Sequence, residues 1–260
     1  MKNKDAKTGH RIAALDLIRG IAVLLMIIYH TVFAFGGFFD IWFFKALFFS
    51  LLNIAPVIIA SLFILTCAFS SYLSRSNGKR GLITLGAAIL IYVTTAVFLP
   101  KIGLSGLVIK FGILHFLSIA MLLTPPLMFI VKKIPAYIGI PVCLVLFFLT
   151  FNISDGYLGL PNVFSIKLAD SIINSRWLFP LGIHSDDFFS ADYYPLFPWI
   201  FLYVSGLWPG RIFRGRKIPE KAYEPICKSV EFIGKKALLI YLVHMPIIFL
   251  IGYLISSVKN

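Results

Sequence analysis

Apolar and polar positions along the chain sort into long apolar runs at about 15–38, 46–73, 82–99, 111–131, 136–151, 193–210 and 237–257. Each is close to the roughly 20 residues that carry a helix across a hydrocarbon core. The pattern predicts an all-α polytopic transmembrane helix bundle of about seven spans. The second run is long and the fifth short, so a helix folded back near 40–50 would make the count six or eight.

The polar residues between these runs set an orientation. With the N-terminus in the cytoplasm, the cytoplasmic segments hold Lys2, Lys4, Lys7, Arg11, Arg19, Arg75, Lys79, Arg80, Lys132, Lys133, Arg211, Arg214, Arg216, Lys217, Lys221, Lys228, Lys235 and Lys236, which is 18 of the 24 basic residues. Lys45, Lys101, Lys110, Lys167, Arg176 and Lys259 fall outside. Positive residues are retained on the cytoplasmic side, so the expectation is a multi-pass protein of the cell membrane with a cytoplasmic N-terminus. The long connection 152–192 then lies outside the cell, carrying Asp155, Asp170, Asp186, Asp187, Asp192, Arg176 and His184. Connections of this length are often functional, though a merely solvated loop is an equal alternative.

Composition agrees with a bilayer as solvent: 59% of the 260 residues are hydrophobic and 13% charged, too little polar surface for a soluble chain of this length. That length suits a single membrane domain, 1–260, with no room for a sizeable soluble one. The net charge of +13 sits in short clusters between the runs, which reads as topology and not as a nucleic-acid footprint. Cys67, Cys143 and Cys227 lack the spacing of a redox or metal motif, and no disulfide or metal is assigned to them. The first run carries Asp16, Arg19 and His30 and no small-residue cleavage site, so it reads as a retained span and not a leader.

Ionisable groups inside apolar runs are costly, by roughly 2.5 kcal/mol or more near the bilayer centre, which makes each a candidate for function. In the first run Arg19 and His30 are 11 residues apart, so they share a helix face within about 20°. That face should turn inward, since lipid offers no partner. His30 then lies about 22 Å from the inner edge of a core about 30 Å thick, in its outer third. The fourth run enters from outside near Phe111 and puts His115 about 6 Å below that surface. Asp192, ahead of Tyr193, Tyr194, Pro195 and Pro198, opens the sixth run at the same level. A set of His30, His115 and Asp192 suits general base catalysis, with imidazole as base and a carboxylate to orient it. Each also has a structural alternative: an interhelical hydrogen bond for either histidine, and an N-cap of the sixth span for Asp192. His244, in Tyr241-Leu-Val-His244-Met-Pro246, is either functional or a cap for the carbonyl freed by the proline. On the cytoplasmic side Arg75, Lys79 and Arg80, and Arg211, Arg214, Arg216 and Lys217, suit phosphates of an acyl donor, although positive-inside bias and anionic lipid explain them without any donor. His184-Ser-Asp186-Asp187 is too small a cluster to assign a metal.

Leu15-Asp-Leu-Ile-Arg19-Gly20-Ile-Ala-Val-Leu-Leu-Met-Ile-Ile-Tyr-His30 resembles the opening span of the membrane acyltransferases related to heparan-α-glucosaminide N-acetyltransferase. Phe111-Gly-Ile-Leu-His115-Phe is similar to that family's Gly-x-Leu-His segment, Asp192-Tyr-Tyr-Pro195-Leu-Phe-Pro198-Trp199 to its Asp-Tyr-x-Pro-x-x-Pro-Trp segment, and Gly234-Lys-Lys-Ala-Leu-Leu-Ile-Tyr241-Leu-Val-His244 to its terminal span. The opening motif is shared with the wider acyltransferase-3 group. The resemblance implies transfer of an acetyl group from cytoplasmic acetyl-CoA, a co-substrate needing no metal, to an amine or hydroxyl of an extracytoplasmic sugar or glycan. It implies an essential histidine, for which His30 is the match; the residues themselves suggest His115 and Asp192 for positioning the acceptor and Arg19, Arg75, Arg80 and Arg211 for the CoA phosphates. The chain is shorter than the lysosomal enzyme, with fewer spans. The expected partners are the lipid bilayer and a saccharide acceptor; oligomeric state is left open. The competing class is a non-enzymatic membrane protein, a small permease or scaffold subunit, in which the histidines relay protons or join helices.

Overall fold

The computed structural model describes residues 12–51, 54–101, 103–104, 106–160, 163–214 and 220–259. The basic residues Lys2, Lys4, Lys7, Arg11, Arg216 and Lys217 lie outside the described residues. Nearly everything described is helical: α1 (Ala13–Val32), α2 (Trp42–Leu51), α3 (Ala55–Leu73), α4 (Asn77–Val93), the single turn α5 (Leu99–Lys101), α6 (Ile113–Lys133), α7 (Ala136–Leu149), the short α8 (Asp170–Ile173), α9 (Leu196–Arg214), α10 (Lys228–Lys235) and α11 (Ala237–Lys259). One antiparallel hairpin joins β1 (Tyr157–Leu160) to β2 (Phe164–Lys167). Among the described residues six helical stretches are long and apolar enough to cross a bilayer: Ala13–Phe38, Ala55–Leu73, Asn77–Lys101, Ile113–Lys133, Ala136–Asp155 and Ala237–Ser257. The 19-residue α9 falls short of that apolar average because its sequence carries Trp199, Tyr203, Trp208, Pro209, Gly210 and Arg211. Most of α9 between Pro198 and Gly210 is buried, as befits a helix inside a bundle. The protein is a helical multi-pass membrane protein.

One expected span is corrected. The run 46–73 is not a single helix but α2 followed by α3. Pro56 occupies the first turn of α3, where its missing N–H leaves no hydrogen bond unmade, so a helix begins there readily and does not pass through. The ten residues of α2 reach only about 15 Å and do not cross a core.

The chain divides into two compact units, one of residues 1–63 and 216–260, the other of residues 64–215. In the first, α10 lies directly along α1. A Cβ on Gly20 would strike the Val230 carbonyl, and one on Gly234 would strike the carbonyl of Asp16, so the two backbones touch through glycine. Small residues of this kind let membrane helices approach where no hydrophobic force drives them together. Val23 and Met26 of α1 pack with Ile59, Ile233, Ala237, Ile240 and Tyr241. Past Val32 the α1 helix widens into a π-helical stretch, Phe33–Phe38, whose Ala34 and Phe35 pack on Ile248.

In the second unit α9 is the centre. Gly206 and Gly210 accept the side chains of Ala68 and Tyr72 on α3, and the Trp208 indole fills the space beside Gly139 of α7. The Tyr203 hydroxyl lies 2.7 Å from Thr124 Oγ1 on α6. Large apolar side chains on α4, such as Leu82, Ile83, Ile89 and Leu90, stay exposed. In a membrane helix these are the lipid-facing positions.

Candidate functional site

Asp16 and Arg19 sit one turn apart on α1, with Arg19 Nη1 donating to Asp16 Oδ1 at 3.1 Å. Asp16 is 1% exposed and Arg19 20%. Higher on the same helix, His30 Nδ1 is 2.9 Å from the Met26 carbonyl oxygen. A carbonyl only accepts, so Nδ1 carries the proton and, in the neutral ring, Nε2 holds the free lone pair. The neighbour of this imidazole is His244 of α11, with ring centroids 4.9 Å apart and planes at 68°. Tyr29 and Tyr241 flank the two rings, at 5.3 Å from His30 and 5.4 Å from His244. His244 is anchored as His30 is: Nδ1 donates to the Tyr241 carbonyl at 2.6 Å. It therefore does not cap the Leu242 carbonyl, the acceptor that Pro246 frees. Its Nε2 is buried and meets no hydrogen-bond partner among the described residues. Two imidazoles thus stand together, each tied to its own helix by Nδ1 and each left with Nε2 as acceptor.

His115 is arranged the other way round. It is the third residue of α6, and the backbone N–H of the N-cap, Gly112, donates to its Nδ1 at 3.2 Å. Nδ1 here accepts, so the proton lies on Nε2 and the ring presents an N–H. The Phe111 ring stacks on the imidazole at 5.6 Å. Asp192 reaches the same helix end: its Oδ2 accepts the Ile113 N–H at 3.0 Å. It serves the N-terminus of α6 from a distant segment, where the N-cap residue is Gly112, and not the sixth span that it precedes in sequence. A carboxylate there satisfies an orphan amide and meets the positive end of the helix dipole.

The two segments that carry His115 and Asp192 are zipped together by backbone. Ala191 N–H donates to the Val108 carbonyl at 2.9 Å, Tyr194 N–H to the Phe111 carbonyl at 3.0 Å, and Lys110 N–H to Ser190 Oγ at 3.0 Å. Phe111 and Tyr193 form a parallel bridge. Gly112 leaves room at the junction for Asp192, whose Oδ2 a Cβ there would displace. The Tyr193 hydroxyl donates to the Phe179 carbonyl at 2.6 Å. His184 stacks on Phe188 at 4.6 Å and donates from Nδ1 to the Ser185 carbonyl at 3.0 Å. Among the described residues no group of three or more metal-ligating side chains occurs.

Of the expected set, then, His115 and Asp192 meet at one helix end in the second unit, while His30 belongs to the first and has His244 as its neighbour. Sequence reasoning left His244 undecided and missed the zipper of 108–113 with 190–194, whose only signal was Gly112. The basic residues separate too. Arg211 donates from Nη1 to the Val131 carbonyl at 2.6 Å and the Ile134 carbonyl at 3.0 Å, closing the C-terminus of α6, and Trp208 Nε1 donates to Ile134 at 3.0 Å. Arg75 is exposed and Arg80 half-buried, just past the end of α3 and in the first turn of α4, and neither guanidinium makes a hydrogen bond or ion pair among the described residues.

Paired imidazoles inside the spans of a helical multi-pass membrane protein mark a candidate site, since ionisable groups are costly there. The family model for the heparan-alpha-glucosaminide N-acetyltransferase catalytic domain matches residues 11–246, and the chain belongs to that family. The family points to a transferase of the membrane acyltransferase kind. No curated protein and no solved structure matches the chain.

Proposed function

We propose that the protein transfers an acetyl or other short acyl group from cytoplasmic acetyl-CoA to an amine or hydroxyl of an extracytoplasmic sugar, from the cell membrane and with its N-terminus in the cytoplasm. The observation that carries this reading is His30: a polar ring in an apolar span, held by Nδ1 so that Nε2 is left as a base. The Nε2 lone pair takes the proton of the acceptor N–H or O–H as that atom attacks the thioester carbonyl. The C–S bond breaks, and the proton passes from Nε2 to the departing CoA thiolate. The same lone pair would also permit the alternative order, in which Nε2 carries the acetyl group between donor and acceptor. His244, with its own Nε2 lone pair beside the ring, accepts a hydrogen bond from the incoming acceptor.

His115 offers an Nε2–H to an acceptor oxygen, and Asp192 holds the helix end on which His115 sits. Arg75 and Arg80, whose guanidiniums make no hydrogen bond or ion pair among the described residues, suit the CoA phosphates better than Arg211, which is committed to backbone carbonyls. Arg19 supports the polar face of α1 through Asp16. Orientation follows the basic residues, 18 of 24 on the cytoplasmic side.

The test is transfer of labelled acetyl from external acetyl-CoA to a panel of amino sugars and glycans trapped in proteoliposomes. Trapped acceptor should become acetylated with the wild-type protein and not with His30→Ala. Full transfer by a folded His30→Ala variant would overturn the reading. Incubation with acetyl-CoA alone separates the two orders, since only a carried acetyl group labels the protein.

A further inference from the structure

We propose that the β1–β2 hairpin is a membrane-interface anchor whose apolar face lies in the outer leaflet. In an antiparallel pair, directly opposed residues point to the same side and neighbours alternate. The register pairs Leu160 with Phe164 and Leu158 with Ile166, and between them Gly159 with Ser165 and Tyr157 with Lys167. One side of the hairpin is therefore wholly apolar, made of Leu158, Leu160, Phe164 and Ile166. The other carries Gly159, Ser165, Lys167 and Tyr157. Leu158 and Leu160 are half-buried, yet Phe164 on the same side is 52% exposed and Ile166 66%. A hairpin that leaves these two apolar side chains uncovered is poorly made for contact with water, and because the side-chain period is two they could be turned away only by slipping the whole register.

The chain itself names the occupant. The hairpin starts two residues beyond the span Ala136–Asp155, after the left-handed Gly156, and β1 packs back on α7. It thus sits where the bilayer ends. The last turns of α7 and the residues after it present Val145, Phe148 and Phe151 as exposed apolar side chains, the lipid-facing surface that leads up to the hairpin. Farther along the same connection Trp177 is 86% exposed, and amphipathic rings are enriched where hydrocarbon meets headgroup. The polar side ends in Lys167, whose Nζ lies 3.0 Å from Asp170. That hydrogen bond and the Asp170 charge hold the ammonium's pKa above its ordinary value, so it stays charged for headgroup phosphates.

The strand allows a direct measurement, because all four residues of β2 are exposed and tolerate a reporter. In the full-length protein, with Cys67, Cys143 and Cys227 replaced by serine or alanine, single cysteines at 164, 165, 166 and 167 take a nitroxide label in phosphatidylcholine–phosphatidylglycerol nanodiscs. Collision with oxygen, which concentrates in lipid, is compared with collision with a nickel chelate, which stays in water. The expected result is alternation: a high oxygen-to-nickel ratio at 164 and 166 and a low one at 165 and 167. High nickel access at all four positions would mean a face in water and would overturn the proposal. Shielding of 164 and 166 from both reagents would overturn it as well, by showing a protein partner or second copy on that face. Brominated lipid gives an independent reading, since the fluorescence it quenches should fall when Trp177→Phe is introduced; an unchanged quenched fraction counts against the anchor. Neither measurement depends on acyl transfer, so the anchor can fail while the proposed function stands.

Discussion

His30 and His115 are the same residue in the same kind of helix, and the structure leaves them opposite chemistries. His30 lies late in α1, where Nδ1 can reach back one turn to the Met26 carbonyl. His115 lies in the first turn of α6, where the Phe111 carbonyl four residues back is already taken by the Tyr194 N–H and the N-cap, Gly112, offers an N–H. The backbone partner decides the tautomer, so His30 presents a lone pair and His115 an N–H. A base is useful where a proton must be removed, and a donor where an oxygen must be held. The first ring is seconded by another histidine, the second by a helix end that Asp192 stabilises.

The largest effect should come from removing the lone pair while keeping the anchor. His30→Asn can still donate to the Met26 carbonyl, yet it has no basic atom, and loss of a general base costs about 10²–10⁴-fold. Steady-state transfer in proteoliposomes should show that fall in kcat with little change in KM for acetyl-CoA. Activity within a fewfold of wild type would dissolve the distinction drawn between the two rings.

Gly112→Ala comes next. The new methyl displaces the Asp192 carboxylate, leaving the Ile113 amide without its partner, and buried polar groups so orphaned cost about 1–3 kcal/mol. The thermal midpoint in detergent should drop, and an unchanged midpoint would mean that the junction of 108–113 with 190–194 tolerates what the geometry forbids.

The paired variants His115→Gln and His115→Asn sharpen the comparison further. Gln keeps a donor near the place of Nε2–H and loses the cap, whereas Asn keeps an acceptor near Nδ1 and loses the donor. If the donor serves the acceptor sugar, His115→Asn should raise KM for the acceptor by about tenfold, the worth of one hydrogen bond, while His115→Gln lowers stability and spares KM. The reverse ranking would make His115 only a cap.

The smallest effect is expected at Asp192. Asp192→Asn preserves an oxygen for the Ile113 amide and should keep both stability and kcat, whereas Asp192→Ala should lose about 1 kcal/mol. A large loss of kcat in the amide variant, with the midpoint unchanged, would instead give the carboxylate a direct part in proton transfer.

Much of the fold was legible from periodicity and charge. Six of the seven apolar runs correspond to helices near their expected places, because a run of that length has no other way to satisfy its backbone in lipid. The split of 46–73 was signalled by Pro56, but hydropathy averages over a proline and cannot see it. Arg211 was grouped with Arg75 and Arg80 on charge alone. Only the packing of α9 against α6 shows that its guanidinium closes a helix end while the other two remain available.

By itself the sequence determined the solvent, the helical class and the residue type proposed to carry the chemistry. Apolar length, the placing of Lys and Arg, and the cost of a histidine in hydrocarbon are properties of residues and of their order. Tertiary structure alone decided that His244 stands beside His30 and that Asp192 reaches a helix end 79 residues away. A hydrogen bond depends on angles and tenths of an ångström between atoms far apart in the chain, and no periodicity in the sequence encodes them.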